Sequence, residues 1–374
     1  YLSNSCNLAC RHCWITPHYV NGRPDPGDVI DVEALQLAVH EAKSLGLSSA
    51  KLTGGEPMLH PRFIEIVDML TAEGLNLNME TNGTLLTPEI ACYLKDKTNL
   101  NFISVSIDGA DDKTHDWFRG VKGAYQAVLA GLDALVDAGY QNIQVIMSIH
   151  HYNQNQIEDV VRLAAAHGAA SVKMNPVTNT GRGAIMHDRG EGLDFRERMD
   201  LAHYVYDEIR PRLRDEGLPI ELVLNTPLAL APISEMMRQN GDAGDCGVLG
   251  ILGILGTGEI SLCGIGRTVQ ELVYGQLGVD SIRDIWMTNP TILELRRALA
   301  DEENYPEICR QCLMAKRCRT GCVAQNFVDS GALLWPDALC IEASRLGEFP
   351  ASRCRPSING EGQVARSFQV KPGA

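Results

Sequence analysis

Between residues 31 and 176 short apolar runs alternate with longer stretches of helical period, and this alternation limits the fold more than any other feature of the chain. Strand-like runs stand at SSAKLTGG, LNLNMETNG, NFISVSIDG, NIQVIMSIH and ASVKMNPV, each separated from the next by about the length of a helix. The stretch DVEALQLAVHEAKSLG reads as a helix capped by Asp31 and stopped at Gly46. GAYQAVLAGLDALVDAG stops at Gly139 and QNQIEDVVRLAAAHG at Gly168 in the same way. With YLSNS as the end of a first strand, six strands alternate with helices. Such units join parallel strands by crossovers, so the expected class is α/β and the expected architecture a full or partial (β/α)6 TIM-like barrel. An open doubly wound sheet is the alternative. In either fold the chemistry gathers at the C-terminal edge of the strands, where Cys6, Gly54, Gly55, Glu56, Asn82, Asp108, His150 and Asn175 fall. His150, His151 and Asp108 are given no role, because polar residues at strand ends are common.

The chain has 374 residues, 45% of them hydrophobic, enough for one large core plus a smaller second domain. It has no apolar run long enough to span a membrane and no basic segment followed by an apolar one at its start, so neither a membrane nor a secretory route is expected. A net charge of -14 argues against a nucleic-acid surface and fits a cytoplasmic protein. Twelve cysteines in such a protein point to metal ligation or catalysis before disulfides.

Three of them, Cys6, Cys10 and Cys13, share the short stretch SNSCNLACRHCWITP. Structural zinc needs four ligands, and His12, lying between Cys10 and Cys13, is poorly placed to be the fourth. A 4Fe-4S cubane held by three thiolates would keep one iron free for a small molecule. The spacing Cys-x3-Cys-x2-Cys after a first strand resembles the signature of radical S-adenosylmethionine (radical SAM) enzymes, in which that iron chelates the amino and carboxylate groups of SAM. LTGGEP follows the second strand, where the family carries its Gly-Gly-Glu motif. The resemblance implies that Gly54 and Gly55 let the backbone approach the methionyl group and that Glu56 accepts from its ammonium. It likewise implies His12 beside SAM, Ser106 at the ribose or carboxylate, Met174 against the adenine, and Arg119 at the SAM carboxylate. The competing readings are a structural role for Ser106 and Met174 and a surface salt bridge for Arg119. The implied chemistry is reductive cleavage of SAM to methionine and a 5'-deoxyadenosyl radical, which removes a hydrogen atom from an unactivated C-H bond. An electron donor such as flavodoxin or ferredoxin is the implied partner.

Seven further cysteines follow the pattern Cys246-x11-Gly258-x4-Cys263, a gap, Cys309-x2-Cys312-x5-Cys318-x3-Cys322, a second gap, and Cys340. A zinc ribbon is the competing reading of CRQCLMAKRCRTGC. The whole set resembles the SPASM extension of radical SAM enzymes, which holds two auxiliary 4Fe-4S clusters. The fold expectation becomes a partial barrel over 1–217, a smaller C-terminal iron-sulfur (SPASM) domain over 218–345, and a polar, flexible tail over 346–374. By the family's interleaved pattern Cys309, Cys312, Cys318 and Cys340 ligate a distal cluster. Cys246, Cys263 and Cys322 ligate a proximal one, one ligand short, with Cys354 as a conceivable fourth. Cys92 reads as a core thiol.

SPASM enzymes mostly modify peptides, so the expected substrate is a ribosomally made precursor peptide that receives a crosslink or thioether. Small winged-helix-like domains often recruit its leader, and none is visible from residue 1 onward. Sulfatase-activating relatives carry an acidic base directly after the second proximal cysteine, where this chain has Gly264. The remaining alternative is a non-catalytic iron-sulfur protein that relays electrons.

Overall fold

A computed structural model describes residues 1–17, 19–20, 23–24, 28–238, 247–358 and 364–365. Its centre is a six-stranded parallel sheet of β1 (Ser49–Leu52), β2 (Asn76–Thr81), β3 (Leu100–Ser106), β4 (Ile143–Ile149), β5 (Ser171–Pro176) and β6 (Glu221–Leu224). Each strand pairs with the next in sequence, in the order β1-β2-β3-β4-β5-β6. A doubly wound sheet would reverse its order at a switch point, so this progression is that of the partial barrel.

Helices α1 (Val32–Lys43), α2 (Phe63–Ala72), α3 (Pro88–Lys97), α4 (Asp112–Arg119), α5 (Ala124–Asp137) and α6 (Ile157–Ala166) fill the crossovers. Local chemistry starts them. The side chains of Asp31, Thr87 and Asp111 accept the backbone N–H of Ala34, Ile90 and Thr114, satisfying donors that a helix start leaves orphaned.

Strand alternation separates two faces. Leu77, Met79, Ile103, Val105, Val145, Met147, Val172 and Met174 are fully buried on the face that meets the helices. At about 1.5–3 kcal/mol for each such side chain, this layer dominates the stability of the sheet. The opposite face is mostly polar: Lys51, Asn78, Glu80, Ser104, Ser106, Gln144, Ser148, Lys173 and Asn175 share it by register with Phe102, Ile146 and Val223. The apolar layer holds the barrel together and leaves the polar side chains on its inner face.

The sixth strand is Glu221–Leu224, not the opening YLSNS. Residues 1–5 run beside the loop beyond β1: Leu2 N–H donates to Thr53 O, and Gly55 N–H and Glu56 N–H donate to Ser3 O and Ser5 O. Ser3 also bridges Val29 antiparallel. The segment is thus shared between two neighbours, neither of which it follows far enough to form a strand.

The chain divides into two compact units. The first comprises Tyr1–Leu193, Ile209–Leu224 and Gly253–Met287; the second, Asp194–Glu208, Asn225–Leu252 and Thr288–Ala374. The first unit includes, besides the barrel, a three-stranded antiparallel sheet of β7 (Gly253–Ile254), β8 (Glu259–Ser261) and β9 (Val273–Gln276). The second is built on a core of Phe195, Leu230, Cys312, Leu339, Cys340 and Phe349.

Candidate active site

The opening cysteine loop is clamped from two sides by positions that admit no side chain. A Cβ on Gly55 would lie 1.9 Å from Ser5 O, and one on Gly54 2.5 Å from Ser3 O. A Cβ on Gly120, just past α4, would lie 2.6 Å from Ala9 O. Ala9 N–H and Arg11 N–H donate to Arg119 O and Phe118 O, so the loop lies between the Gly-Gly-Glu turn and the end of α4. The two glycines therefore serve first to let this loop approach.

Within it Cys6 and Cys10 are buried and Cys13 half-buried. Leu8 N–H donates to Cys6 Sγ at 3.4 Å, and Asn82 Nδ2 approaches the same sulfur at 3.8 Å. Arg119 Nη1 lies 3.6 Å from Cys10 Sγ, and its Nε is 2.6 Å from the fully buried carboxylate of Asp108. Burial pushes the Cys6 thiol up to about 12, and it also raises Cys10, with the Arg119 charge opposing. Without a cationic partner these thiols hold their protons at neutral pH; bonded iron is such a partner, and the thiolate is the ligand.

Glu56 is fully buried. Its Oε1 accepts from Met58 N–H at 3.2 Å and Thr81 Oγ1–H at 2.8 Å, and its Oε2 from Asn82 N–H at 2.8 Å. Burial raises it to about 7 against these three donors. Oε2 carries one donor and so keeps a lone pair for an ammonium group.

His12 stacks on Phe118 with centroids 4.4 Å apart, and Phe118 stacks on His150 at 4.2 Å. His12 Nε2 is 3.2 Å from Ser148 Oγ at the end of β4. Burial holds its imidazole neutral, well below the ordinary range, with Arg119 adding to the effect. Its Nδ1 is buried without a hydrogen-bond partner among the described residues, as are Nε and Nη2 of Arg182, whose backbone N–H donates to Cys13 O. Orphaned polar atoms beside two buried thiols and a half-buried third are what a polar cofactor would satisfy, and the residues present fit a three-thiolate cluster with SAM beside it. Among the described residues no three His, Cys, Asp or Glu converge closely enough for a single ion, a demand that a larger cubane does not make.

The expected site residues thus gather as follows. Cys6, Cys10, Cys13, His12, Gly54, Gly55, Glu56 and Arg119 come together, and Ser106 ends β3 half-buried on the lumen face. Met174 stands apart, fully buried on the helix-packed face. Asn82, Thr81, Asp108, Ser148 and Arg182 join the site; their strand-end or loop positions hinted at it, but no residue type announced their contacts.

In the second unit Cys309, Cys312, Cys318 and Cys340 lie within one another's electrostatic reach, with Cys312 and Cys340 buried. Burial raises the Cys309 thiol to about 12 and holds Cys340 well above the ordinary thiol range. Between Cys318 and Cys322 the backbone turns through three left-handed residues, Arg319, Thr320 and Gly321, with φ of 49°, 70° and 88°. Asn326 Nδ2 donates to Thr320 O at 2.8 Å and holds that strained turn. Cys354 pairs antiparallel with Cys312 and packs in the same cluster, so it adjoins this set and not Cys263. Of the set expected to hold a proximal cluster, Cys246 lies outside the described residues. Cys263 leads into a turn of the first unit and Cys322 caps a helix of the second.

Residues 1–164 match the radical SAM superfamily. An AdoMet-dependent heme synthase of Nitratidesulfovibrio vulgaris is 30% identical over 91% of this chain and 90% of its own length. Mycofactocin maturase MftC of Mycolicibacterium smegmatis is 25% identical, covering 100% of this chain and 91% of the relative. Streptococcus suis SuiB bound to S-adenosylmethionine superposes with a TM-score of 0.70 at 17% identity, over 91% of this chain and 76% of SuiB. SuiB bound to its precursor peptide SuiA does so with 0.68 at 16% identity, over 91% and 74%. A three-thiol loop clamped at the mouth of a singly wound partial barrel, and the extent of these matches, lead to one conclusion: the chain belongs to the radical SAM superfamily and is an enzyme of radical chemistry.

Proposed function

We propose that this protein is a radical SAM/SPASM maturase that modifies a ribosomally synthesised peptide, with crosslink or thioether formation as the class of outcome. The observation that carries the reading is the pairing of a three-thiol loop at the barrel mouth with a second set of four thiols around Cys312. The relatives named as maturases, and SuiB with its precursor peptide, support a peptide as substrate.

Cys6, Cys10 and Cys13 would hold the SAM-binding cluster, and Cys309, Cys312, Cys318 and Cys340 a distal one. With Cys246, Cys263 and Cys322 as the third ligand set, the proposed count is three 4Fe-4S clusters. When bound, cluster and SAM supply a carbon radical able to take a hydrogen atom from the substrate. The chain's own residues do the rest. Glu56 orients Asn82 and the loop and offers Oε2 to the SAM ammonium. Arg119, held by Asp108, keeps a fixed cation beside Cys10 for the SAM carboxylate. His12, neutral and stacked on Phe118, gives a flat surface at the site, and the polar lumen receives the substrate away from bulk water. A low-potential donor of the flavodoxin or ferredoxin type, and a cytoplasmic setting, complete the proposal; among the described residues no helix is long and apolar enough to cross a membrane.

Sulfatase maturation is disfavoured by space. Gly264 stands where sulfatase-activating relatives carry an acidic base, and a Cβ there would lie 1.9 Å from Tyr1 Oη and 2.5 Å from the Trp14 ring, so an acidic side chain would need both rings to move. Action on a tetrapyrrole is the second reading, favoured by the 30% identity with the heme synthase. Incubating the reduced, reconstituted protein with SAM and either a genomically neighbouring precursor peptide or a porphyrin precursor separates the two. A mass change in the peptide alone supports maturation, and one in the tetrapyrrole alone replaces it.

A further inference from the structure

Of the two lysines on the lumen face among the described residues, Lys51 is paired with Glu80, and Lys173 has no part in the site described above. Lys173 lies at the third position of β5, on the polar face, flanked along the strand by the buried Val172 and Met174 that face the helices. It is half-buried, and its ammonium makes no hydrogen bond or ion pair among the described residues. Its electrostatic neighbours are Lys51 on β1 and Glu80 on β2. Those strands stand at the far side of the sheet order from β5, so the three side chains approach one another only across the lumen. Lys51 is already matched by Glu80 at 2.6 Å, which leaves Lys173 as the uncompensated charge of the trio. The trio therefore carries one net positive charge, in a chain whose net charge is -14, and Lys51 with its partner Glu80 stands at its more exposed side.

Register gives its depth. Ser106 pairs with Ile146, and Ile146 with Lys173, so Lys173 lies in one transverse row with Ser106. The next row toward the mouth, Ser148 and Asn175, touches the cysteine loop through His12. Lys173 is thus one pleat, about 7 Å, beneath the rim where hydrogen abstraction would take place.

The geometry points to Lys173 as an anion-binding point in the substrate chamber, which takes a carboxylate of the substrate and thereby sets which part of it stands at the rim. The assignment rests on the reading of the lumen as the chamber for a peptide. In such a substrate the carboxylate is either an acidic side chain or the chain terminus. Burial and the Lys51 charge lower the affinity of Lys173 for its proton, and a bound carboxylate restores it.

The test is the reactivity of Lys173 in the reconstituted holoenzyme, read by mass spectrometry after a brief pulse of an amine-acylating reagent, with the exposed Lys122 as internal reference. Three probes are compared in saturating SAM: N-acetyl-alanyl-glutamate amide, with only a side-chain carboxylate; N-acetyl-alanyl-glutamine, with only a terminal one; and N-acetyl-alanyl-glutamine amide, with neither. At least one carboxylate probe should slow acylation of Lys173 about threefold or more, and the neutral probe should leave it unchanged. Whichever carboxylate acts identifies the source. Equal slowing by the neutral probe, no slowing by any, or full protection by SAM alone would overturn the assignment. Lys173→Met should weaken the protective probe about tenfold by direct titration, and Lys173→Arg should largely retain it. If either variant loses iron, the wild-type labelling decides alone. Deoxyadenosine formation is measured on the same preparation: its absence counts against the radical reading and leaves the labelling result standing.

Discussion

The Arg119 guanidinium lies 2.6 Å from the Asp108 carboxylate and 3.6 Å from Cys10 Sγ, with both charged side chains at least nine-tenths buried. A buried pair of this kind is poor evidence for extra stability, yet breaking it is costly because one charge is then left alone. Asp108→Ala should destabilise the protein by about 3–5 kcal/mol in urea unfolding, and Arg119→Met, which leaves a carboxyl able to take up a proton, by less. Equal, small losses would show that the pair is solvated.

Gly55→Ala asks the Ser5 carbonyl to move, since the added Cβ would stand 1.9 Å from it. Because that carbonyl belongs to the cysteine loop, the expected result is loss of roughly four irons per chain with the second-unit iron retained. Unchanged iron content would mean that the loop is not seated by this turn.

Cys312 and Cys354 face each other across an antiparallel bridge, but only Cys312 lies among the proposed ligands. Cys312→Ala should abolish the distal cluster signal in low-temperature electron paramagnetic resonance. Cys354→Ala should leave iron content and the signal intact. Loss of iron in Cys354→Ala would make it a ligand.

His115 and His150 are fully buried and neutral; burial lowers them to about 3 and about 4. The unfolded chain takes up their protons below about 6.5, and the folded chain does so only near those lower values. Their contribution is therefore complete above pH 6.5 and is lost as pH falls toward 4. Each adds up to about 1.4 kcal/mol of lost stability per pH unit in that window. His115→Asn should flatten the urea midpoint between pH 6.5 and 5 relative to the parent; an unchanged slope would contradict the burial argument.

Much of this was legible because the physics is local. Gly46, Gly139 and Gly168 end helices at φ of 96°, 88° and 72°, a region that other residues rarely enter, so the helix stops could be read directly. The grouping of Cys6, Cys10 and Cys13, and of Cys309, Cys312, Cys318 and Cys340, was legible in their spacing. The role of YLSNS was not, because a short extended segment does not say which neighbour it meets, and the sixth strand came from Glu221–Leu224. Lys173 was hidden by strand alternation itself: a lysine between two apolar residues reads as a solvent-facing position, and only closure of the sheet turns that face into a lumen. Met174 is the reverse case, since the same alternation puts it on the buried apolar face, in register with Met147. The place of Cys354 depended on a pairing across 42 residues that no local pattern encodes.

The most direct test of the central claim is 5'-deoxyadenosine formation by anaerobically reconstituted, reduced protein with SAM, measured alongside iron and sulfide. Deoxyadenosine at wild-type Cys6, Cys10 and Cys13, its loss in the triple alanine variant, and roughly eleven to twelve irons per chain are predicted. Full iron loading without SAM cleavage, or zinc in place of iron, would contradict it.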